Sequence, residues 1–121
     1  MPITFIIDPD TQIIYTTAFG DIHPDDLIAH GQRLADANLL NRPQVFDARA
    51  ANLELTKAQV QRLATQTKEF RKGLKPTPVA FVTDSNSLYG MLRIYQVMIQ
   101  NINPGFSVFR NIDEAQQWVR L

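Results

Sequence analysis

The sequence contains no cysteine, which excludes a disulfide framework, a thiolate nucleophile and a thiolate metal site. The N-terminal stretch MPITFIIDPD also lacks the basic segment and long apolar core of a signal peptide. No apolar run approaches the ~20 residues that a membrane-spanning helix requires. Together these absences predict a cytoplasmic protein without a transmembrane segment.

No charge of one sign prevails, because 12 basic residues balance 12 acidic residues. A net charge of zero argues against general nucleic-acid binding. The 121 residues fit a single domain, 1–121, with one sizeable core. The stretch 57–75 is nevertheless locally basic, and its charge favours either a solvated helix face or a surface that meets an anion or a partner. Its cations are Lys57, Arg62, Lys68, Arg71, Lys72 and Lys75.

Stretches with the apolar pattern of a strand alternate along the chain with stretches whose apolar residues recur at helical spacing. This alternation predicts the order ββαβαβαβα. Residues 3–7 and 12–19 form a predicted hairpin around the turn-favouring sequence DPDT. The later strands alternate with helices, which indicates an α/β fold with a mainly parallel sheet and an antiparallel strand at one edge. The predicted later strands are 43–49, 77–84 and FSVFR; the helices begin near Pro24, after Thr56, after residue 84 and after Asn111.

Four patches of sequence resemble the SpoIIAA-like, or STAS-like, family of small bacterial proteins. They are GDIHPDD, FDAR, VAFVTD followed by YGMLRIY, and VFRNIDEAQQWV, and they occur in this order over nearly the whole chain. The resemblance implies a βα superhelix without an established enzymatic activity. Relatives in the wider STAS group are regulatory or anion-transporter-associated modules that bind protein partners or small ligands.

One departure from the family pattern concerns phosphorylation. STAS-type anti-sigma-factor antagonists carry a phosphorylated serine or threonine after the aspartate of the third strand. Here Asp47 is followed by Ala48, Arg49, Ala50 and Ala51, none of which has a hydroxyl group. The next hydroxyl, Thr56, is explained by a T-x-x-Q capping box with Gln59. A kinase-controlled switch is therefore not carried over to this chain.

Two carboxylates, Asp47 and Asp84, follow predicted parallel strands and are expected at the sheet edge where α/β folds bind ligands. Such a pair could hold a cation or share a proton. The favoured roles are structural: Asp84 as a helix cap and Asp47 as a partner of Arg49 or of loop amides.

Neither histidine predicts a metal site or a catalytic group. His23 precedes the first helix and can cap it, and His30 has the spacing to pair with Asp26 on the helix surface. The two histidines are too far apart on one helix to bind one metal ion. The chain has no G-x-S-x-G motif and no serine with an evident base, so no catalytic residue, metal or cofactor is predicted.

The predicted third helix, which follows residue 84, has one face of core residues and beside it a flank suited to a contact with another surface. Leu88, Leu92 and Tyr95 belong to the stripe, and Gly90, Ile94 and Val97 lie beside it at helical spacing. Tyr89 and Arg93 fall on the opposite side, one turn apart, where a cation–π pair is expected. Gly90 costs the helix about 1 kcal/mol relative to alanine. It therefore indicates a close approach by another helix of this fold, a second subunit or a ligand.

Two functions follow from these features. The first is a non-catalytic regulatory or protein-interaction module that forms a homodimer or binds an unidentified protein partner through Gly90, Ile94, Val97, Tyr89 and Arg93. The alternative is a carrier of a small anionic or amphipathic ligand, such as a lipid or a nucleotide, with the basic stretch 57–75 drawn to acidic headgroups. The carrier's pocket would be lined by Asp47, Arg49, Asp84, Tyr89 and Arg93.

Overall fold

The computed structural model describes residues 2–121, which form a five-stranded sheet with helices on both faces. The strands lie side by side in chain order, and the first connection alone is antiparallel. The predicted α/β class and the order ββαβαβαβα are confirmed. The elements are β1 (Ile3–Ile7), β2 (Ile14–Asp21), α1 (Pro24–Asp36), β3 (Gln44–Asn52), α2 (Lys57–Phe70), β4 (Val79–Val82), α3 (Asn86–Met98), β5 (Phe106–Phe109) and α4 (Ile112–Val119).

Alternation along the strands divides the core into two layers. Phe46 and Phe81 stack face to face at 4.5 Å on the side of the sheet that carries α1, α2 and α3. Val45 and Ala80, one residue earlier on the same strands, point to the opposite face and pack with residues of α4. The continuous apolar run of β4 is therefore buried on both faces, as the sequence predicts.

The helix ends follow local capping chemistry. Thr56 and Gln59 form the predicted reciprocal box, with Gln59 N donating to Thr56 Oγ1 at 3.2 Å. Asn111 caps α4 by accepting from the amides of Asp113 and Glu114. The predicted capping role of Asp84 is wrong, because Ser85 is the cap and its Oγ accepts from Leu88 N at 3.1 Å.

Two boundaries near the candidate site differ from the sequence prediction. Strand β3 runs on to Asn52 because β2 continues to pair with it after β4 has ended. Asp47 therefore lies within a strand rather than at its end. Helix α3 ends at Met98 and not near Asn101, since the chain turns there through hydrogen bonds from Ile102 N and Asn103 N to Ile99 O.

The helical layers cover the sheet unequally. On one face α2 packs between α1 and α3, whereas α4 on the other face packs on β3, β4 and β5. The part of the second face formed by β1 and β2 remains open, and it displays the exposed side chains of Ile6 and Phe19. Two apolar surfaces are thus available outside the core: this open sheet face and the outer side of α3.

Candidate functional site

The sheet edge predicted to hold a ligand contains a closed ion pair. Arg49 binds Asp47 in a bidentate manner, with Nε to Oδ1 and Nη2 to Oδ2 both at 2.9 Å. The Arg49 amide also donates to Asp47 Oδ1 at 3.1 Å. The guanidinium beside Asp47 holds the pKa of that carboxyl below its ordinary value. The structural role expected for Asp47 is confirmed, and its oxygens are already occupied.

The remaining predicted residues do not join Asp47 in one pocket. Asp47 and Arg49 face the α4 side of the sheet, whereas α3, which carries Tyr89 and Arg93, lies on the opposite side. Asp84 is exposed in the loop before α3. Within residues 2–121 no group of three or more His, Asp or Glu side chains could hold a metal ion.

The predicted cation–π pair between Tyr89 and Arg93 is wrong. The guanidinium over the Tyr89 ring belongs to Arg110, 4.4 Å from the ring centroid, and Arg110 also donates to Asn86 Oδ1. Arg93 instead directs Nη1 to the Tyr89 hydroxyl at 3.4 Å. Because Arg110 follows β5, this contact ties the end of that strand to the first turn of α3.

Gly90 does not serve close packing within the chain. A Cβ atom built on it would meet nothing within 4 Å, which excludes the expected approach of α2 or α4. Ile94 is half-buried one turn later, and the Val97 side chain is 70% exposed. At about 100° per residue these three positions share a sector of the helix about 60° wide. The outer side of α3 consequently carries a narrow apolar row that is only partly covered, with the exposed Arg93 beside it.

The basic stretch is only partly a solvated face. Arg62 pairs with Asp25 of α1, and Lys72 lies 3.4 Å from Glu69. Arg71 is buried, and its guanidinium donates to three neutral oxygens rather than to a carboxylate. These acceptors are Leu40 O at 3.1 Å, Lys75 O at 2.8 Å and Thr77 Oγ1 at 2.9 Å. Burial lowers the pKa of Arg71 from its ordinary value.

His30 is also buried, so its predicted surface pairing with Asp26 is wrong. Its Nε2 lies 2.9 Å from Gln44 Oε1, which also accepts from Thr16 Oγ1 at 2.7 Å. Asp26 instead accepts from the His23 amide at 2.9 Å. His30 lies three residues after Leu27 and four before Leu34 on the inward face, and this spacing could have indicated its burial.

A cavity of about 160 Å³ separates α1, α2 and α3 from the sheet. Leu34, Leu63 and Leu92 contribute to its apolar wall, and His30 and Arg71 line it as well. Phe70 of α2 covers Gly31 of α1 so closely that a Cβ atom on Gly31 would lie 2.9 Å from the ring. Sequence reasoning missed this cavity because its walls come from three helices and three strands that are distant in the chain.

Burial of His30 predicts a specific dependence of stability on pH. Burial lowers its pKa below the ordinary value of 6.5, so the unfolded chain binds a proton more readily than the folded one. The stability that depends on neutral His30 is therefore complete above about pH 6.5 and is lost as the pH falls, by up to ~1.4 kcal/mol per pH unit. Urea unfolding at several pH values between 5.5 and 7.5 measures this slope, a window above the ordinary carboxylate pKa of about 4.

A His30→Gln variant isolates the contribution of the ring. Its amide can still donate to Gln44 but does not titrate, so the slope between these pH values should become smaller than in the wild type. His23→Gln, at an exposed position of α1's N-terminus, should leave the slope unchanged. An unchanged slope in His30→Gln would assign the pH dependence to other groups.

The chain is similar in fold to two proteins of known structure. No protein-family model matches the chain, and no curated protein sequence matches it. An uncharacterised protein of the DUF3478 family with a SpoIIAA-like fold, from Shewanella loihica, superposes with a TM-score of 0.62 at 16% identity over 97% of this chain and 91% of that one. An anti-sigma factor antagonist from Mycobacterium paratuberculosis superposes with a TM-score of 0.59 at 18% identity over 98% and 95%.

Among residues 2–121, no helix is long and apolar enough to cross a membrane. The resemblance read from the four sequence patches agrees with them. This chain therefore has the SpoIIAA-like fold.

Proposed function

We propose that this protein is a non-catalytic STAS-like interaction module that forms a homodimer through the outer side of α3. The observation that carries the proposal is the row of Gly90, Ile94 and Val97, in which Gly90 and Val97 are exposed and Ile94 is half-buried. Large apolar side chains on a surface helix usually mark a contact with another macromolecule when they form a continuous patch. The likeness to an anti-sigma factor antagonist supports a regulatory role based on protein binding.

The chemistry of α3 favours a second copy of the same chain as the partner. Arg93 is the only charged residue in the helix, and the chain has no net charge, so two copies do not repel each other strongly. In an antiparallel twofold contact centred near Arg93 and Ile94, Val97 of each copy would lie over Gly90 of the other. The missing side chain at Gly90 provides room for the isopropyl group, and Arg93 can extend to solvent at the rim.

A charge placed in this row should separate the copies. We expect Val97→Lys to raise the dimer dissociation constant by at least about a hundredfold, because an unpaired ammonium would be buried in an apolar contact. Gly90→Phe should act similarly by filling the space that Val97 of the partner needs. Sedimentation velocity and native mass spectrometry over a concentration series measure both effects.

Ile6→Lys is a matched control, since Ile6 is 71% exposed and Val97 is 70% exposed. Ile6 lies on the open face of β1 and β2, away from α3, so its substitution should leave the dimer intact. A dimer disrupted by Ile6→Lys but not by Val97→Lys would place the interface on the open sheet face. A wild-type chain that stays monomeric at every concentration would refute self-association.

A further inference from the structure

Two residues that line the cavity beneath α1, α2 and α3 carry a polar atom that no protein group satisfies. The wall is mostly aliphatic and aromatic, yet Arg71 Nε and His30 Nδ1 are both buried without a hydrogen-bond partner. Both residues are more than nine-tenths buried, with exposures of 6% and 4%. A buried polar group without a partner is destabilising, so a molecule that pairs with one of these atoms would be bound favourably.

Four other polar residues of the wall, Thr67, Tyr95, Gln44 and Asn103, already have hydrogen-bond partners. The hydroxyls of Thr67 and Tyr95 lie 2.6 Å apart, and Gln44 Oε1 accepts from Thr16 while facing His30. Asn103 Oδ1 accepts from two backbone amides. Among the fully buried side-chain atoms of the residues that line the cavity, Arg71 Nε and His30 Nδ1 are therefore the two without a partner.

The two unsatisfied atoms differ in character. Arg71 Nε carries a hydrogen and can only donate. His30 Nε2 faces a carbonyl oxygen of Gln44 and must donate to it, which leaves Nδ1 of the neutral ring as an acceptor. Arg71 also brings a positive charge to the cavity, since its bonded acceptors are all neutral oxygens.

These features define the chemistry of an occupant. An apolar cavity of about 150 Å³ accepts a benzene-sized molecule, and this one has a similar volume of about 160 Å³. Ligand pockets typically combine an apolar wall with a few polar groups that fix orientation. A carboxylate on such a molecule would accept from Arg71 Nε and compensate the buried charge.

We propose that this cavity binds a small monocarboxylate with an apolar body of about the size of a benzene ring, with its acidic group on Arg71 and its body among Leu34, Leu63 and Leu92. The site differs from the sheet-edge pocket that the sequence suggested, and it is independent of the outer side of α3. Phe70 lies over Gly31 at the boundary between α1 and α2, where movement of the flexible ring would admit the molecule.

Benzoate and benzyl alcohol test the assignment as probes of similar size that differ in charge. Titration of the protein, followed by methyl NMR of its leucines, should show saturable shifts at Leu34, Leu63 and Leu92. Benzoate should bind at least about tenfold more tightly than benzyl alcohol, because both partners are charged in its hydrogen bond to Arg71 whereas the alcohol is neutral. Equal affinity for the two probes would overturn the assignment of the acid to Arg71.

A pair of leucine variants locates the bound probe. Leu27 lines the cavity and is partly buried, so Leu27→Phe can turn its larger side chain into the empty space and should weaken benzoate binding at least about tenfold. Leu55 is partly buried against the same core but does not line the cavity, and Leu55→Phe should leave the affinity unchanged. Benzoate binding that resists Leu27→Phe, or leucine methyls that do not shift at millimolar benzoate, would refute the site.

Discussion

Replacing Arg71 with methionine is expected to lower the free energy of unfolding by about 3 kcal/mol. Methionine fills a similar space, so the loss comes from the hydrogen bonds and not from a cavity. The substitution leaves Leu40 O without its guanidinium donor and removes the Arg71 bonds to Lys75 O and Thr77 Oγ1. Leu40 O and Lys75 O are part-buried, and Lys75 O keeps the Thr77 hydroxyl as a donor, so most of the loss comes from the three hydrogen bonds of a charged donor.

An opposing effect makes this prediction informative. The guanidinium is buried without a carboxylate, and burial lowers its pKa, so removing the charge relieves a desolvation cost. Buried ions replaced by apolar residues can leave stability unchanged or increase it when both partners are replaced together. Here only the donor is replaced, and the acceptors remain. We therefore expect the lost hydrogen bonds to exceed the relieved cost.

Arg71→Lys separates charge from geometry. Lysine retains the positive charge but has a single ammonium group, which cannot reproduce the planar fork that reaches Leu40, Lys75 and Thr77 together. Its stability in urea unfolding should lie between those of the methionine variant and the wild type. A methionine variant as stable as the wild type would show that the buried charge costs as much as its hydrogen bonds contribute.

The sequence predicts most of the fold because its signals are local. The T-x-x-Q box at Thr56, the asparagine cap at Asn111 and the apolar run of β4 each depend on residues close together in the chain. Alternation of strands and helices then allows few topologies, and the observed strand order is the simplest of them.

The errors occur where a distant residue competes with a local partner. Tyr89 could have paired with Arg93 one turn away, but Arg110, brought near by β5, lies over its ring. His30 could have met Asp26 on the same helix, but Gln44 of β3 binds it instead. The spacing of a helix gives its i,i+4 pairs in advance, whereas contacts between separate elements appear only after packing.

Much of the candidate site is hidden from the sequence for the same reason. Exposure of Val97 depends on how far α2 extends over α3, and the cavity depends on the distance between the helices and the sheet. Gly90 was the one useful local signal, because a glycine inside a helix lowers the stability of that helix and is therefore expected to serve another purpose. The structure shows that close packing within the chain is not this purpose, because nothing lies within 4 Å of a Cβ atom at Gly90.

Gly105 is the position where a single methyl group should have the second large effect. A Cβ atom there would lie 2.6 Å from Thr77 O and 2.9 Å from Thr77 C, and both are backbone atoms that cannot rotate away. Asn103 holds the two segments together, because its Oδ1 accepts from Thr77 N at 2.9 Å and Gly105 N at 3.2 Å. Gly105 O in turn accepts from Val79 N at the start of β4.

We expect Gly105→Ala to lower the free energy of unfolding by about 3 kcal/mol, at the upper end of the usual cost of overpacking. Gly90→Ala provides the matched control, since its Cβ meets nothing within 4 Å and the helix gains about 1 kcal/mol from alanine. Both are measured by urea unfolding at protein concentrations low enough to exclude dimers.

Because Arg71 and Gly105 both act on Thr77, the double variant Arg71→Met/Gly105→Ala should lose less free energy of unfolding than the sum of the two single losses. Additive losses would show that the two residues stabilise the 71–78 segment independently.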